Sequence, residues 1–177
     1  MDQKELVSEE KLNQIIESLA VKITDKMTAN TVFVGLDLRG KILANRLANY
    51  CQKIIQRTIS TGTIDTSLYR DLSDKSYINI GETNIQFCLK NKHVILVIEC
   101  LKSGTAINAA LNALSDFNQP SRIDVACLVD QDILIYPILA KFVGLKLPFT
   151  EYGELNVKFI EIDGQESVVE KYVLESV

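Results

Sequence analysis

Apolar residues recur along this chain with two periods, and their alternation lays out its elements. Over residues 8–27, Leu12, Ile15, Ile16, Leu19, Ile23 and Met27 share one side of a helix, with Ser8 placed to cap it. Residues 31–36, TVFVGL, have the length and β-branched content of a buried strand. Helical spacing returns over 41–52, with Ile42, Leu43, Leu47 and Tyr50 facing inward. Strands are expected at 57–61 and 64–69, broken at Thr61-Gly62, followed by a polar, aperiodic stretch over 70–82. Residues 93–98 contain the apolar run Val94-Ile95-Leu96-Val97, and from Ala106 a helix is expected on Ile107, Ala110, Leu111 and Leu114. Two more strands are expected at 123–129 and 140–143. Alternation over 157–162 and 168–174, separated by Asp163-Gly164-Gln165, predicts a terminal hairpin.

The chain is organised around residues 93–114, HVILVIECLKSGTAINAALNAL. A buried strand, the turn Ser103-Gly104-Thr105 and a helix together make a place for an anion. Glycine lets backbone amides approach the ligand, hydroxyls donate, and the helix N-terminus carries partial positive charge. The same residues also make an ordinary βα turn with a serine cap, and residue types alone do not choose between the two.

At 177 residues the chain is read as one domain, residues 1–177, with 47% hydrophobic and 24% charged residues, ordinary for a soluble globular protein. Its apolar runs are far shorter than a membrane span, and MDQKELVSEE is too charged for a signal peptide. Cys51, Cys88, Cys100 and Cys127 form no CxxC pair, and there is one histidine, so a zinc site is not expected. Free thiols suit a reducing cytoplasm, which is the expected location. A net charge of −4 argues against general affinity for nucleic acid, and Lys11, Lys22 and Lys26 are mixed with Glu9, Glu10, Glu17 and Asp25.

Residues 93–114 resemble the phosphoribosyl pyrophosphate (PRPP) motif of type I phosphoribosyltransferases. The wider chain is most similar to PyrR, the family of bifunctional pyrimidine-operon regulators and uracil phosphoribosyltransferases. The resemblance continues in family order through VGLDLRG (34–40), GTIDTSLYRDLSDK (62–75), QPSRIDVACLVD (119–130) and FVGLKLP (142–148). It implies an α/β, type I phosphoribosyltransferase-like fold: a central mainly parallel sheet flanked by helices, with a small hood of strands. Ligand sites are then expected in the loops at the carboxyl ends of the strands.

The resemblance also assigns residues. Lys102, Ser103, Gly104, Thr105 and Ala106 correspond to the phosphate cradle, with Ile98 and Glu99 at the two acids that hold the ribose hydroxyls. Arg39 and Gly40 belong to the pyrophosphate loop, where Asp37 stands in place of a lysine and Leu38 in place of a hydroxyl. Tyr69, Arg70 and Asp71 open the flexible loop that closes over the reacting centre, and Glu99 and Arg70 are the implied catalytic residues. Residues 130–134 lack the basic side chains of the family segment, and Phe142 either packs beside a bound base or belongs to the core. Losing one charged hydrogen bond weakens binding by about 1.5–3 kcal/mol, and transfer depends on several such contacts at once. The expectation is therefore a phosphate or nucleotide binder with weak or no transferase activity. The alternatives are an active uracil phosphoribosyltransferase, making UMP and pyrophosphate from uracil and PRPP, and an RNA-binding regulator of pyrimidine genes. Magnesium is expected only as the companion of PRPP in an active enzyme, with no metal ligated directly by protein. The expected partners are a phosphate-containing small molecule or nucleotide and further copies of the chain, as a homodimer or higher oligomer, but neither RNA nor a membrane.

Overall fold

The computed structural model describes residues 3–67, 81–117, 119–148 and 153–172. Its elements run β1 (Gln3–Val7), α1 (Glu9–Thr24), β2 (Thr31–Leu36), α2 (Asp37–Ile55), β3 (Thr61–Ile64), β4 (His93–Leu101), α3 (Thr105–Leu114), β5 (Arg122–Asp130), β6 (Phe142–Lys146), β7 (Gly153–Lys158), α4 (Ile160–Asp163) and β8 (Ser167–Tyr172). Five strands form a parallel sheet in the order β3-β2-β4-β5-β6, and β1-β8-β7 form a small antiparallel sheet, the hood.

Side-chain alternation along the strands decides which helix each residue meets. Phe33, Ile95, Val97, Ala126 and Leu128 pack with Leu12, Ile16, Leu19, Leu43 and Leu47 of α1 and α2. Val32, Val34, Val94, Leu96, Ile98 and Cys127 pack with Ile107, Ala110 and Leu114 of α3. The central strands are covered on both faces, which is why they read as continuous apolar runs. Leu155, Val157, Phe159 and Val168 of the hood join the α1–α2 core. Burial of such side chains contributes about 1.5–3 kcal/mol each, so the hood shares its core with the helical layer. Phe142 also belongs to this core.

Several boundaries differ from the sequence expectation for identifiable reasons. The helix expected over 41–52 begins at Asp37, directly after β2, with Asp37 at φ +52°. This abrupt turn needs two glycines. A Cβ on Gly35 would lie 2.4 Å from the Gly40 carbonyl carbon, and one on Gly40 would lie 2.6 Å from the Val97 oxygen. Strand β4 runs past residue 98 to Leu101 because its pairing with β5 continues to Asp130. The strand expected at 57–61 gives way to β3, Thr61–Ile64; of the one expected at 64–69, residues 65–67 belong to no strand because the chain turns there to meet Asp37, and residues 68–69 lie outside the described residues. The strand expected at 140–143 lies later, at Phe142–Lys146. The hairpin exists, but its first strand is Gly153–Lys158, and Ile160–Asp163 is a single helical turn. Strand β1 was not anticipated: its Lys and Glu residues hide an edge strand that pairs with β8. Ser8 caps α1, at 3.5 Å from the Lys11 amide.

At the amino ends of the parallel strands, His93 is buried in a polar cluster. Its Nδ1 lies 3.1 Å from Thr31 Oγ1 and its Nε2 2.8 Å from Asp124 Oδ2. Arg122 and Lys141 donate to the same carboxylate at 3.0 and 2.8 Å. Burial opposes the charge on Asp124, but the bonds from Lys141, His93 and Arg122 outweigh it and hold the carboxyl below its ordinary value. Among the described residues no helix is long and apolar enough to cross a membrane.

Candidate phosphate-binding site

The site lies where β4 gives way to α3. Strand β4 delivers Ile98, Glu99, Cys100 and Leu101 to the carboxyl edge of the sheet, and Lys102, Ser103 and Gly104 carry the chain into α3. Gly104 is the residue before the helix, at φ +82°, and a Cβ there would meet the Tyr136 carbonyl oxygen at 3.1 Å. The left-handed conformation and this close approach together call for glycine. The segment after β5 braces the turn: the Ile135 and Tyr136 amides donate to the Ser103 carbonyl at 2.9 and 3.0 Å.

The first intrahelical bond of α3 runs from the Asn108 amide to the Gly104 carbonyl. The amides of Thr105, Ala106 and Ile107 therefore precede the helical ladder and point out of its first turn. Ser103 Oγ and Thr105 Oγ1 lie 2.6 Å apart. Such a pair can turn both hydroxyls toward an oxyanion at small cost, beside partial positive charge from the helix end.

These residues line a cavity of about 300 Å³. Glu99, Lys102, Ser103, Gly104, Thr105 and Ala106 are all in its wall, and so is Arg39 from α2. Gly40 is not; it is buried against the Val97 carbonyl and sets the distance between α2 and β4. The opposite wall is β7, through Glu154, Leu155, Asn156 and Val157. Sequence reading missed this wall, although extending the alternation of Val157 backwards would have paired apolar Leu155 with polar Glu154 and Asn156. Tyr69, Arg70 and Asp71 lie outside the described residues.

Arg39 has firm internal partners. Its Nη1 donates to Asp163 Oδ2 at 2.7 Å and to the Val157 carbonyl at 2.6 Å, and its Nη2 donates to Asp163 Oδ1 at 2.9 Å. Asp163 also accepts from the Phe159 amide at 2.9 Å. Hydrogen bonding to Asp163 raises the Arg39 pKa, Glu99 adding to the effect, and the same bond is the main cause holding the Asp163 carboxyl below its ordinary value. Farther along α2, Arg46 binds both Glu161 and Glu166 and stacks 5.1 Å from the Phe159 ring. Two arginines of one helix thus clamp the hood to the core.

Other motif positions have settled into structural roles. Ile98 is 6% exposed and packs in the α3-side core. Asp37 accepts from the Thr66 amide at 2.9 Å and from its hydroxyl at 3.1 Å, and so ties the start of α2 to the chain after β3. It borders a separate cavity of about 420 Å³ with Lys41, Asp65 and Glu82. Burial pushes the Cys100 thiol up to about 12, which removes the thiolate needed for reactivity. Among the described residues no cluster of three or more His, Cys, Asp or Glu is placed to hold a metal ion.

A parallel sheet ending in a hydroxyl-glycine turn, with a hood over its carboxyl edge, defines a type I phosphoribosyltransferase fold, and residues 2–154 match the phosphoribosyl transferase domain family. The chain is similar to a hypoxanthine phosphoribosyltransferase from Staphylococcus aureus, with a TM-score of 0.71, 20% identity, and coverage of 96% of this chain and 91% of that one. A hypoxanthine-guanine phosphoribosyltransferase from Bacillus anthracis gives a TM-score of 0.69 at 20% identity, covering 98% of this chain and 100% of the other. At that identity the likeness is one of fold. Sequence relatives take the assignment further. The Bifunctional protein PyrR of Clostridioides difficile is 32% identical over 97% of this chain and 99% of its own length. That of Elusimicrobium minutum is 36% identical over 90% of this chain and 91% of its own. The chain belongs to the PyrR family of phosphoribosyltransferase-fold proteins.

Proposed function

We propose that the cavity after β4 binds the phosphate of a phosphoribosyl compound or nucleotide and catalyses phosphoribosyl transfer weakly or not at all. The observation that carries this reading is the contrast between two adjacent positions. Glu99 brings a carboxylate to the cavity wall, whereas Ile98, at the other position where the family motif has an acid, borders the same cavity with an apolar side chain that packs mainly in the core and offers no acceptor. Ser103, Thr105, Lys102 and the first amides of α3 can still meet a phosphate. One carboxylate can accept from a ribose hydroxyl, but a hydroxyl left unmatched loses about 1.5–3 kcal/mol of charged hydrogen bonding. Positioning and charge stabilisation supply most of the rate in this kind of chemistry, so the missing contact weighs more on turnover than on binding.

A magnesium ion suits oxygen donors such as Glu99 and Glu154. Among the described residues no three such groups converge, and in this reading magnesium enters with a diphosphate ligand. Calorimetry with UMP and with PRPP, both with magnesium, together with an assay for UMP formation from uracil, tests the proposal. Micromolar UMP binding with little UMP formation is the expected result. Turnover of about one per second or faster, in the ordinary range for enzymes, would establish an active transferase and overturn it.

A further inference from the structure

Both cations in the cavity wall already face carboxylates, and those carboxylates come from the hood. Lys102 Nζ lies 3.8 Å from Glu154 Oε1, with Lys102 half-buried and Glu154 largely open to solvent. Arg39 is held by Asp163 through two hydrogen bonds. Among the described residues lining the cavity, Arg39 and Lys102 are balanced by Glu99 and Glu154 before Asp163 is counted.

The two internal pairs differ in how readily they open. Glu154 is 62% exposed on its side chain and holds Lys102 at a distance that leaves the pair weak. A phosphate arriving at the turn can displace it and gain Lys102, the two hydroxyls and the α3 amides together. Asp163 is held by the Phe159 amide as well as by Arg39, and Arg39 is also bonded to the Val157 carbonyl. A second phosphoryl group directed at Arg39 would have to break this arrangement or settle next to Asp163 and Glu99 without a further counter-charge among the described residues of the cavity wall. Like charges at that separation repel strongly in a partly desolvated cavity.

Resting on the phosphate-binding reading, we infer that the cavity selects a ligand with one phosphoryl group, such as ribose 5-phosphate or a nucleoside monophosphate, over the diphosphate sugar PRPP. Glu154 and Asp163 act as internal counter-ions that leave one cation, among the described residues of the cavity wall, available to a ligand. The hood thereby sets ligand specificity as well as closing the cavity wall.

Titration of the full chain with ribose 5-phosphate, and with PRPP plus magnesium, tests this at one fixed ionic strength. Ribose 5-phosphate should bind tighter by about tenfold or more. The exposed substitution Glu154→Gln should tighten both ligands by about threefold at low salt, an effect that fades as salt screens the pair. Asp163→Asn, checked for folding by a melting curve, should tighten PRPP alone and narrow the gap to about threefold or less. If PRPP binds tighter than ribose 5-phosphate to the unsubstituted protein, phosphate binding stands and the counter-ion inference is overturned. The inference is also overturned if Glu154→Gln leaves both affinities unchanged, or if folded Asp163→Asn keeps the original ratio. If neither ligand binds any of the three proteins, the phosphate-binding reading itself falls.

Discussion

The first turn of α2 and the loop after β4 follow neighbouring strands at the same edge of the same sheet, yet their polar groups do opposite things. After β2, Asp37 is bonded to Thr66, Arg39 to Asp163 and Val157, and Gly40 is packed on Val97. That helical turn holds the fold together. After β4, the two hydroxyls meet chiefly each other, and Lys102 has a distant, exposed partner. That loop can exchange its contacts for those of a ligand. The two segments therefore divide the labour, and for Arg39 the deciding partners lie more than a hundred residues away in sequence.

The contrast is most directly broken by removing side chains from each segment. Arg39→Ala deletes three charged hydrogen bonds, taking the Arg39 donor from the Val157 carbonyl and leaving Asp163 with the Phe159 amide but no guanidinium. A loss of about 2–3 kcal/mol in urea unfolding is expected. The double substitution Ser103→Ala with Thr105→Ala should cost no more than about 0.5 kcal/mol while abolishing measurable phosphate binding. Equal stability losses in the two variants would erase the distinction.

A second experiment sharpens it by placing an acid at position 98, in β4 just before the second segment. In Ile98→Asp with Glu99→Asp, a folded protein should bind PRPP roughly tenfold tighter than wild type, the worth of about one restored hydrogen bond to a charged group. The melting temperature should drop, because an aspartate replaces an isoleucine packed in the α3-side core. Adding Asp37→Lys would be counterproductive, since it removes the carboxylate that holds Thr66. A folded double variant with unchanged PRPP affinity would show that the acid pair does not limit binding.

The smallest effect is in pH. The Arg39 bond holds the native Asp163 carboxyl below its ordinary value, so the native state resists its protonation. The pair contributes its full stability above the ordinary aspartate pKa of about 3.9 and loses it as pH falls through the depressed native value. Melting curves from neutral pH toward about pH 3 should therefore fall more steeply for wild type than for Asp163→Asn. Asp124 and Glu161 are shifted in the same direction and remain in both proteins, so the difference isolates Asp163. Parallel slopes would deny the pair this role.

Much of this was legible beforehand because local signals agreed. The apolar run at β4, the glycine turn and the spacing of Ile107, Ala110 and Leu114 all specify strand, turn and helix without tertiary help. What stayed hidden depended on remote partners. Arg39 reads as a phosphate ligand until Asp163 is placed beside it, and Asp37 reads as a repulsive intruder until Thr66 is seen to donate to it. The β7 wall was obscured because its polar cavity residues look like an ordinary solvated strand edge, and β1 because pairing with β8, not its composition, makes it a strand.

The pairing of β1 with β8 joins Gln3 to Lys171 and Glu5 to Val169. The β1–β8 pairing therefore closes a loop that spans nearly all of the described residues, whereas β4, the turn at Gly104 and helix α3 are built from neighbours in sequence. Closing a long loop is slow relative to making local contacts, so on refolding the hood edge is expected to pair after the strand, turn and helix have formed.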